Sequence, residues 1–264
     1  MEPATHIDSR SQAFGYVCRQ CTRCCRNNDI KINPYEAARL ARNLGLTTAE
    51  FRATRTRDSA GIMLKHTDTG ACTFLGVETG GCSVYQDRPL VCRVFPLGRE
   101  LLIDGSERYF PSEGGAKPGG EFTREGTVGG FLEAQGVPPF AKAANEYFYW
   151  LCKVAYHLHT DIFVTSRSNL ADAAMLASDL VDIDAAIASS CATGRMPEPT
   201  GIEERRQQHL ALLNQKLDEY TSITKGDGHD RPDQVERAAA LYRLLLAAAS
   251  VLAASLGVIP GDSQ

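Results

Sequence analysis

The sequence lacks an excess of basic charge, a charge-free apolar run long enough to span a membrane and a recognisable export signal. Its 28 lysines and arginines are outnumbered by 32 aspartates and glutamates, so the 264-residue chain carries a formal net charge of −4. This balance argues against a nucleic-acid partner. The most apolar segment, residues 238–256, contains Arg243 and is therefore expected to be a buried helix, with no membrane partner. The first residues have no basic stretch followed by an apolar one, so the cytoplasm is the expected location.

Familiar catalytic motifs are also missing. No glycine-rich turn lies between a strand and a helix, as a Rossmann-type cofactor site requires. Cys21 and Cys25 have the spacing of the first half of a radical S-adenosylmethionine motif, but Asn28 occupies the third position. Neither a Ser-His-Asp triad nor a pair of catalytic carboxylates is recognisable. Any chemistry would therefore depend on another feature.

Cysteine is abundant, with nine in the chain. An odd number of thiols, in a chain expected to stay reduced, argues against a disulfide framework and for metal ligands. Two-residue spacers let side chains turn toward one centre, as in zinc knuckles and iron–sulfur proteins. In the helical half, Cys152 is expected to be a core residue and Cys191 an ordinary thiol near a helix end. The predicted ligands are the other seven: Cys18, Cys21, Cys24, Cys25, Cys72, Cys82 and Cys92.

Seven thiolates are compatible with several kinds of centre. A [4Fe–4S] cluster takes four and leaves three for a second metal or for chemistry, whereas two tetrahedral ions need one bridging sulfur. A closed structural zinc site is the simplest alternative. Adjacent Cys24 and Cys25 normally point apart, so they serve one centre only if the backbone there is irregular. His66 is a candidate eighth ligand or the ligand of an open site, and a solvated loop histidine is the other interpretation.

Residue patterning predicts an α+β fold that is predominantly helical. Residues 1–110 are expected to form an irregular, cysteine-rich metal-binding region with short strands, and 111–140 a Gly/Pro-rich loop that covers the site. Residues 141–264 are expected to form a region of about four helices. The capping box of Asn33 and Glu36 predicts a helix start, and Asp104-Gly105 predicts a hairpin turn. The predicted helices of the last region cover about 140–160, 169–188, 200–220 (starting at a capping box of Thr200 and Glu203) and 232–256.

The cysteine-containing strings resemble those of the YkgJ-type cysteine-cluster family. They are Tyr16-x-Cys18-x2-Cys21-x2-Cys24-Cys25, Cys72-x-Phe74-Leu75 and Cys82-x-Val84-Tyr85-x2-Arg88-Pro89-x2-Cys92-Arg93-x-Phe95-Pro96. The resemblance covers residues 14–96, with one departure at Thr22, where many relatives have glycine. This family is described as a zinc- or iron-chelating domain, and flagellin lysine N-methylase belongs to it.

The resemblance implies an iron–sulfur cluster, most simply [4Fe–4S], or zinc. It also implies S-adenosylmethionine as a second cofactor, with methyl transfer to an amine of a small-molecule or lysine-containing substrate. Arg88 and Arg93 are expected to bind the cofactor, as hydrogen-bond donors to sulfur or to a carboxylate. The leading hypothesis is an iron–sulfur-dependent transferase or oxidoreductase. The alternative is a non-enzymatic metal-binding module whose helical half docks a protein partner.

Overall fold

The fold comes from a computed structural model that describes residues 7, 9–19, 21–57, 61–76, 80–111, 119–160, 175–194, 197–226 and 231–256. The chain divides into two compact units. The first contains Met1–Ile30 and Leu64–Asn145, and the second contains Lys31–Met63 and Glu146–Gln264. The division differs from the predicted regions, because the segment between the first and second groups of cysteines belongs to the helical unit.

Short strands and longer helices make up the described chain. The strands are β1 (Ala13–Val17), β2 (Thr56–Arg57), β3 (Met63–Leu64), β4 (Leu97–Leu101), β5 (Glu107–Pro111) and β6 (Glu121–Thr127). They pair as three two-stranded sheets, β1 with β6, β2 with β3 and β4 with β5. The helices are α1 (Pro34–Asn43), α2 (Thr48–Arg55), α3 (Leu90–Val94), α4 (Val128–Ala134), α5 (Pro138–Leu158), α6 (Ser178–Val181), α7 (Ile183–Ala192), α8 (Ile202–Lys225) and α9 (Pro232–Leu256). The predominantly helical α+β class is confirmed.

Local signals in the sequence determine several of these elements. Asn33 and Glu36 form the predicted capping box of α1, in which each side chain bonds the other residue's backbone N–H. The β4–β5 hairpin turns at Gly105, whose φ of +85° suits glycine, and Asp104 accepts a 2.9 Å bond from the N–H of Ser106. The predicted helix start and hairpin are both confirmed.

Three local predictions are wrong. Residues 121–134 are not part of a loop, because β6 pairs with the distant β1, and Thr127 caps α4 through a 3.1 Å bond from Gly130. The predicted helix over 169–188 is divided into α6 and α7, because the Asp182 carboxylate caps α7; residues 169–174 lie outside the described part. At α8, Thr200 bonds Glu204 instead of the predicted Glu203.

Each unit buries its own apolar core. The core of the first unit lies between β1, the β4–β5 hairpin and α4, and consists of Ile7, Phe14, Val94, Leu97, Tyr109, Val128, Phe131, Leu132, Val137 and Ala141. In the second unit, α9 is long and apolar enough to cross a membrane by length and composition, but 56 % of its apolar window is buried in the protein. Core helices of soluble proteins have these same properties.

A neutral histidine lies in the core of the second unit. The hydroxyl of Tyr147 donates to Nδ1 of His209 at 2.8 Å, and Nε2 of His209 donates to the carbonyl of Leu180 at 2.8 Å. Both side chains are fully buried. Burial lowers the pKa of His209 to about 4, because the charged imidazolium would lose its hydration. His209 therefore has the properties of a structural core residue.

This burial predicts a pH-dependent stability of the second unit. The pKa of His209 is lower in the folded state, at about 4, than its ordinary value of 6.5, so the unfolded chain binds the proton first. Its contribution to stability is complete above about pH 6.5 and is lost as the pH falls toward 4. Between pH 7 and pH 5, we expect the free energy of unfolding to fall by about 2 kcal/mol from this residue.

Urea unfolding followed by the fluorescence of Trp150, which is the single tryptophan and lies in the second unit, measures this loss. In His209→Gln the decrease between pH 7 and pH 5 should be smaller, whereas the control His157→Gln should behave like the wild type. Equal decreases in wild type and His209→Gln would contradict the assignment.

Candidate metal centre

All seven cysteines predicted as ligands lie in the first unit. Cys18 and Cys21 are exposed and follow β1, whereas the other five are partly buried. Cys24 and Cys25 occupy a 3₁₀ turn, Arg23–Cys25, and Cys92 lies in α3. The unit thus combines ligands from distant parts of the chain.

The turn at Cys24 and Cys25 brings the two adjacent thiols together. Thr22 and Asn27, on either side of it, have positive φ values of 59° and 55°. The N–H of Cys25 bonds the carbonyl of Thr22 at 2.9 Å, which tightens the turn. As a result, the sulfurs of Cys24 and Cys25 lie 3.9 Å apart. The irregular backbone that two adjacent cysteines need for serving one centre is therefore present.

The positive φ of Thr22 explains why glycine suits this position in the family pattern. A β-branched residue at positive φ is unfavourable by roughly 1–2 kcal/mol, whereas glycine adopts this conformation freely. The position of Thr22 is therefore one where glycine is the unstrained choice. The left-handed geometry is retained here with threonine.

Backbone hydrogen bonds join the second cysteine segment to this turn. The N–H of Cys72 donates to the carbonyl of Cys25 at 2.8 Å, and Arg26 pairs with Ala71 in an antiparallel bridge. Farther along the chain, Leu75 pairs with Cys82 in the same manner. Cys25, Cys72 and Cys82 are thereby held in one connected backbone network.

The thiols influence one another electrostatically. A hydrogen bond from the thiol of Cys25 lowers the pKa of Cys24 to about 7, and the same contact raises the pKa of Cys25. Burial raises the pKa values of Cys72 and Cys82, and neighbouring thiolates raise them further. Without a cation, ionisation of one thiol therefore hinders ionisation of the next.

Arg88 lies close enough to Cys82 to offset part of the rise in the pKa of that thiol. Its guanidinium charge acts to lower the pKa of Cys82, against the larger effect of burial. The same side chain donates to the carbonyl of Tyr85 and to the side chain of Gln135, both at 2.7 Å, and stacks over the Tyr85 ring at 3.9 Å. Arg88 is thus held beside the thiols, as expected of a cofactor-binding residue, and this role stays a prediction.

Arg93 has a different environment. Its side chain is 4 % exposed and donates to the main-chain carbonyls of Gln86, Arg88 (2.8 Å) and Gln135 (2.9 Å). The guanidinium also lies 3.8 Å from the centre of the Phe140 ring. These contacts make Arg93 a structural cross-link between the loop before α3 and the end of α4. Its cofactor-binding role stays a prediction, and none of these contacts involves a sulfur.

Tyr16, Gly119 and Gly120 form a contact that sequence reasoning missed. The N–H of Gly120 donates to the hydroxyl of Tyr16 at 3.1 Å. A Cβ atom at Gly119 would lie 2.5 Å from the sulfur of Cys21, and one at Gly120 would lie 2.5 Å from the Tyr16 hydroxyl. Glycine is thus required for this close approach. The glycine pair itself was the available signal, although residues 112–118 of the predicted covering loop lie outside the described part.

The donor chemistry of the site fits a metal centre. In the described part of the chain, no three His, Cys, Asp or Glu side chains already surround a common point. The 3.9 Å separation of the Cys24 and Cys25 sulfurs nevertheless approaches the spacing of two ligands on one ion. For metal–sulfur bonds of 2.3 Å, the edge of the tetrahedron is roughly 3.8 Å. Soft thiolates suit zinc and iron–sulfur centres alike.

Comparison with known proteins agrees with this donor set. The model of the CxxCxxCC family, described as a putative zinc- or iron-chelating domain, matches residues 17–109. The matched range contains all seven cysteines together with Arg88 and Arg93. No curated protein and no solved structure matches the chain.

The contact between Gly120 and Tyr16 predicts the effect of adding one methyl group. In Gly120→Ala, the new Cβ would also lie 2.3 Å from the carbonyl oxygen of Val17, so β1 and β6 must separate. Overpacking of this kind costs about 1–3 kcal/mol. We expect faster amide hydrogen exchange in β1 and β6, measured by mass spectrometry.

The matched control for this substitution is Gly130→Ala in α4. Its Cβ would meet no atom closer than 3.4 Å, so it should leave β1 and β6 unchanged and add helix propensity. Equal exchange rates in the two variants would contradict the packing role of Gly120.

Proposed function

We propose that the seven cysteines of residues 17–109, the segment that matches the CxxCxxCC model of zinc- or iron-chelating domains, bind two thiolate-ligated metal centres. The observation that carries the proposal is the turn that holds the Cys24 and Cys25 sulfurs 3.9 Å apart. Cys72, which bonds the same turn through its backbone, adds a third sulfur. A reducing environment, such as the expected cytoplasm, keeps these thiols available.

The electrostatics of the thiols support a bound cation. Burial raises the pKa values of Cys72 and Cys82, and each thiolate raises those of its neighbours. A metal ion reverses this effect, because it attracts all the thiolates at once and releases their protons. These thiols can therefore all be ionised together when a metal ion is bound.

The spacing of the sulfurs also bears on the type of centre. In a cubic cluster each thiolate binds a different iron, which holds the sulfurs roughly 6 Å apart. The 3.9 Å pair of Cys24 and Cys25 is therefore suited to a single tetrahedral ion, zinc or iron. The remaining five cysteines include enough ligands for a [4Fe–4S] cluster. We propose one tetrahedral ion and one iron–sulfur cluster.

The finer proposal is an iron–sulfur enzyme that transfers a methyl group from S-adenosylmethionine to an amine. The second unit supplies an observation in its favour, a cavity of about 490 Å³. This volume lies in the range of small-molecule sites. Charged side chains of both signs line it, which suits a small polar or amino-acid-like substrate: Arg42 and Glu50, together with Asp184 and Arg205, which form an ion pair with each other.

A second candidate is a non-enzymatic metal-binding module whose helices dock a protein partner. Arg93 favours it, because its guanidinium is engaged with main-chain carbonyls. A residue engaged in this way strengthens the scaffold of a metal site. The two candidates differ in whether the metal-loaded protein binds S-adenosylmethionine.

The metal proposal predicts the composition of the purified protein. After anaerobic purification, we expect iron with acid-labile sulfide, together with one further zinc or iron ion per chain. Cys24→Ser or Cys25→Ser should each lose the tetrahedral ion, because both sulfurs bind it. Elemental and sulfide analysis measures both quantities.

Cys152→Ser and Cys191→Ser, both in the second unit, are the matched controls and should retain full metal content. A colourless protein with stoichiometric zinc would exclude the iron–sulfur cluster. Unchanged metal content after replacement of Cys24 and Cys25 would contradict their assignment as ligands.

The methyl-transfer proposal predicts that the metal-loaded protein binds S-adenosylmethionine. We expect heat in a calorimetric titration and retention in equilibrium dialysis, both lost when the metal is removed. Adenosine serves as the control ligand, since it lacks the amino-acid part that the metal and polar groups would recognise. Absence of binding in both measurements would favour the non-enzymatic module.

A further inference from the structure

His66 lies directly opposite Cys72 in the first unit. The two residues form an isolated antiparallel bridge, which is supported by a 3.0 Å bond from the N–H of Thr73 to the carbonyl of Lys65. Directly paired residues project their side chains on the same face, with Cβ atoms about 5 Å apart. The imidazole of His66 and the thiol of Cys72 therefore leave the backbone side by side.

The ring of His66 is also held by the loop that follows the turn of the thiol pair. Its Nε2 lies 2.7 Å from the carbonyl oxygen of Asn28. The side chain of Asn28 in turn donates to the carbonyl of Cys24 at 3.1 Å. His66 thus contacts the loop of Cys24 through its ring and pairs with Cys72 through its backbone.

This hydrogen bond determines the protonation of the ring. A carbonyl oxygen only accepts, so Nε2 must carry the proton, and Nδ1 of the neutral ring presents a lone pair. Histidines that bind metals are typically held in this way, with one nitrogen donating to a carbonyl and the other free to ligate. His66 therefore has the hydrogen bonding that is typical of a metal-ligating histidine, with Nδ1 as the nitrogen that would bind the metal.

We propose that Nδ1 of His66 binds the same ion as the Cys24–Cys25 pair and Cys72. This inference rests on the proposed function, since it assumes that these cysteines bind a metal. Backbone hydrogen bonds already join Cys25 to Cys72, and side-chain bonds join His66 to Asn28 and Asn28 to Cys24. The result is a Cys3His site, an established type of tetrahedral zinc site.

The number of available metal-ligating side chains supports the proposed Cys3His site. Seven thiolates leave two four-coordinate centres one ligand short unless a sulfur is shared. With His66, eight donors fill both, because Cys18, Cys21, Cys82 and Cys92 remain for the cluster. A mixed nitrogen–sulfur site thus removes the need for a bridging thiolate.

Zinc X-ray absorption tests this inference, because it detects only the zinc ion and ignores any iron. The full chain with its iron–sulfur cluster in place is loaded with one equivalent of zinc under reducing, anaerobic conditions. We expect three sulfur neighbours at about 2.3 Å and one nitrogen at about 2.0 Å, with the outer scattering of an imidazole ring. A spectrum of sulfur neighbours alone would overturn the assignment of His66 while leaving thiolate binding intact. No zinc or iron bound to the wild type would overturn the proposed function itself, and this inference with it.

Two variants separate ligation from a structural role. His66→Gln retains an amide donor for the carbonyl of Asn28 but removes the ring nitrogen, so it should lose the imidazole scattering. Its zinc affinity should fall by at least the roughly 10–100-fold that loss of an outer hydrogen-bond partner causes. His66→Cys should restore tight binding, with four sulfur neighbours.

His157→Gln in the second unit is the control and should match the wild type. Retention of the imidazole signal in His66→Gln would overturn the inference, as would unchanged zinc affinity. Circular dichroism verifies that each variant is folded before zinc is added.

Discussion

The central constraint of the first unit is the repulsion between sulfurs that the backbone holds close together. Two unit charges 4 Å apart repel by about 4 kcal/mol at the effective dielectric constant near a protein surface. The sulfurs of Cys24 and Cys25, 3.9 Å apart, would meet this cost if both ionised. A shared proton avoids it, which is why the pKa of Cys24 falls and that of Cys25 rises. A metal ion replaces that proton and converts the repulsion into attraction.

Polar contacts hold the cysteine loops, alongside buried apolar side chains such as Phe74 and Val84. Arg93 ties the carbonyls of Gln86 and Arg88 to that of Gln135, and so fixes α3 against the end of α4. Gly120 also links two chain segments, because its N–H bonds the hydroxyl of Tyr16. A thiol site needs such supports, because most of its ligands lie on irregular backbone.

The sequence predicted the features that depend on neighbouring residues. The Asn33–Glu36 capping box and the turn at Gly105 involve residues within a few positions of one another, and both are present. The strand β6 was missed, because its pairing with β1 is long-range and its glycines suggested a loop. The cysteines and their family were recognisable from spacing. The approach of the Cys24 and Cys25 sulfurs was not, since threonine is an unusual residue for the left-handed conformation at position 22.

The interleaved course of the chain explains how the two sides of the site meet. The chain leaves the first unit after Ile30 and returns at Leu64, and the N–H of Leu64 bonds the carbonyl of Ile30 at 3.0 Å. This closure brings Asn28 and His66, each two residues from the bonded pair, within hydrogen-bond distance. Closing a loop costs entropy, and the cost is already met when the α1–α2 segment folds. The stability of two helices that carry no ligand therefore contributes to the organisation of the metal site.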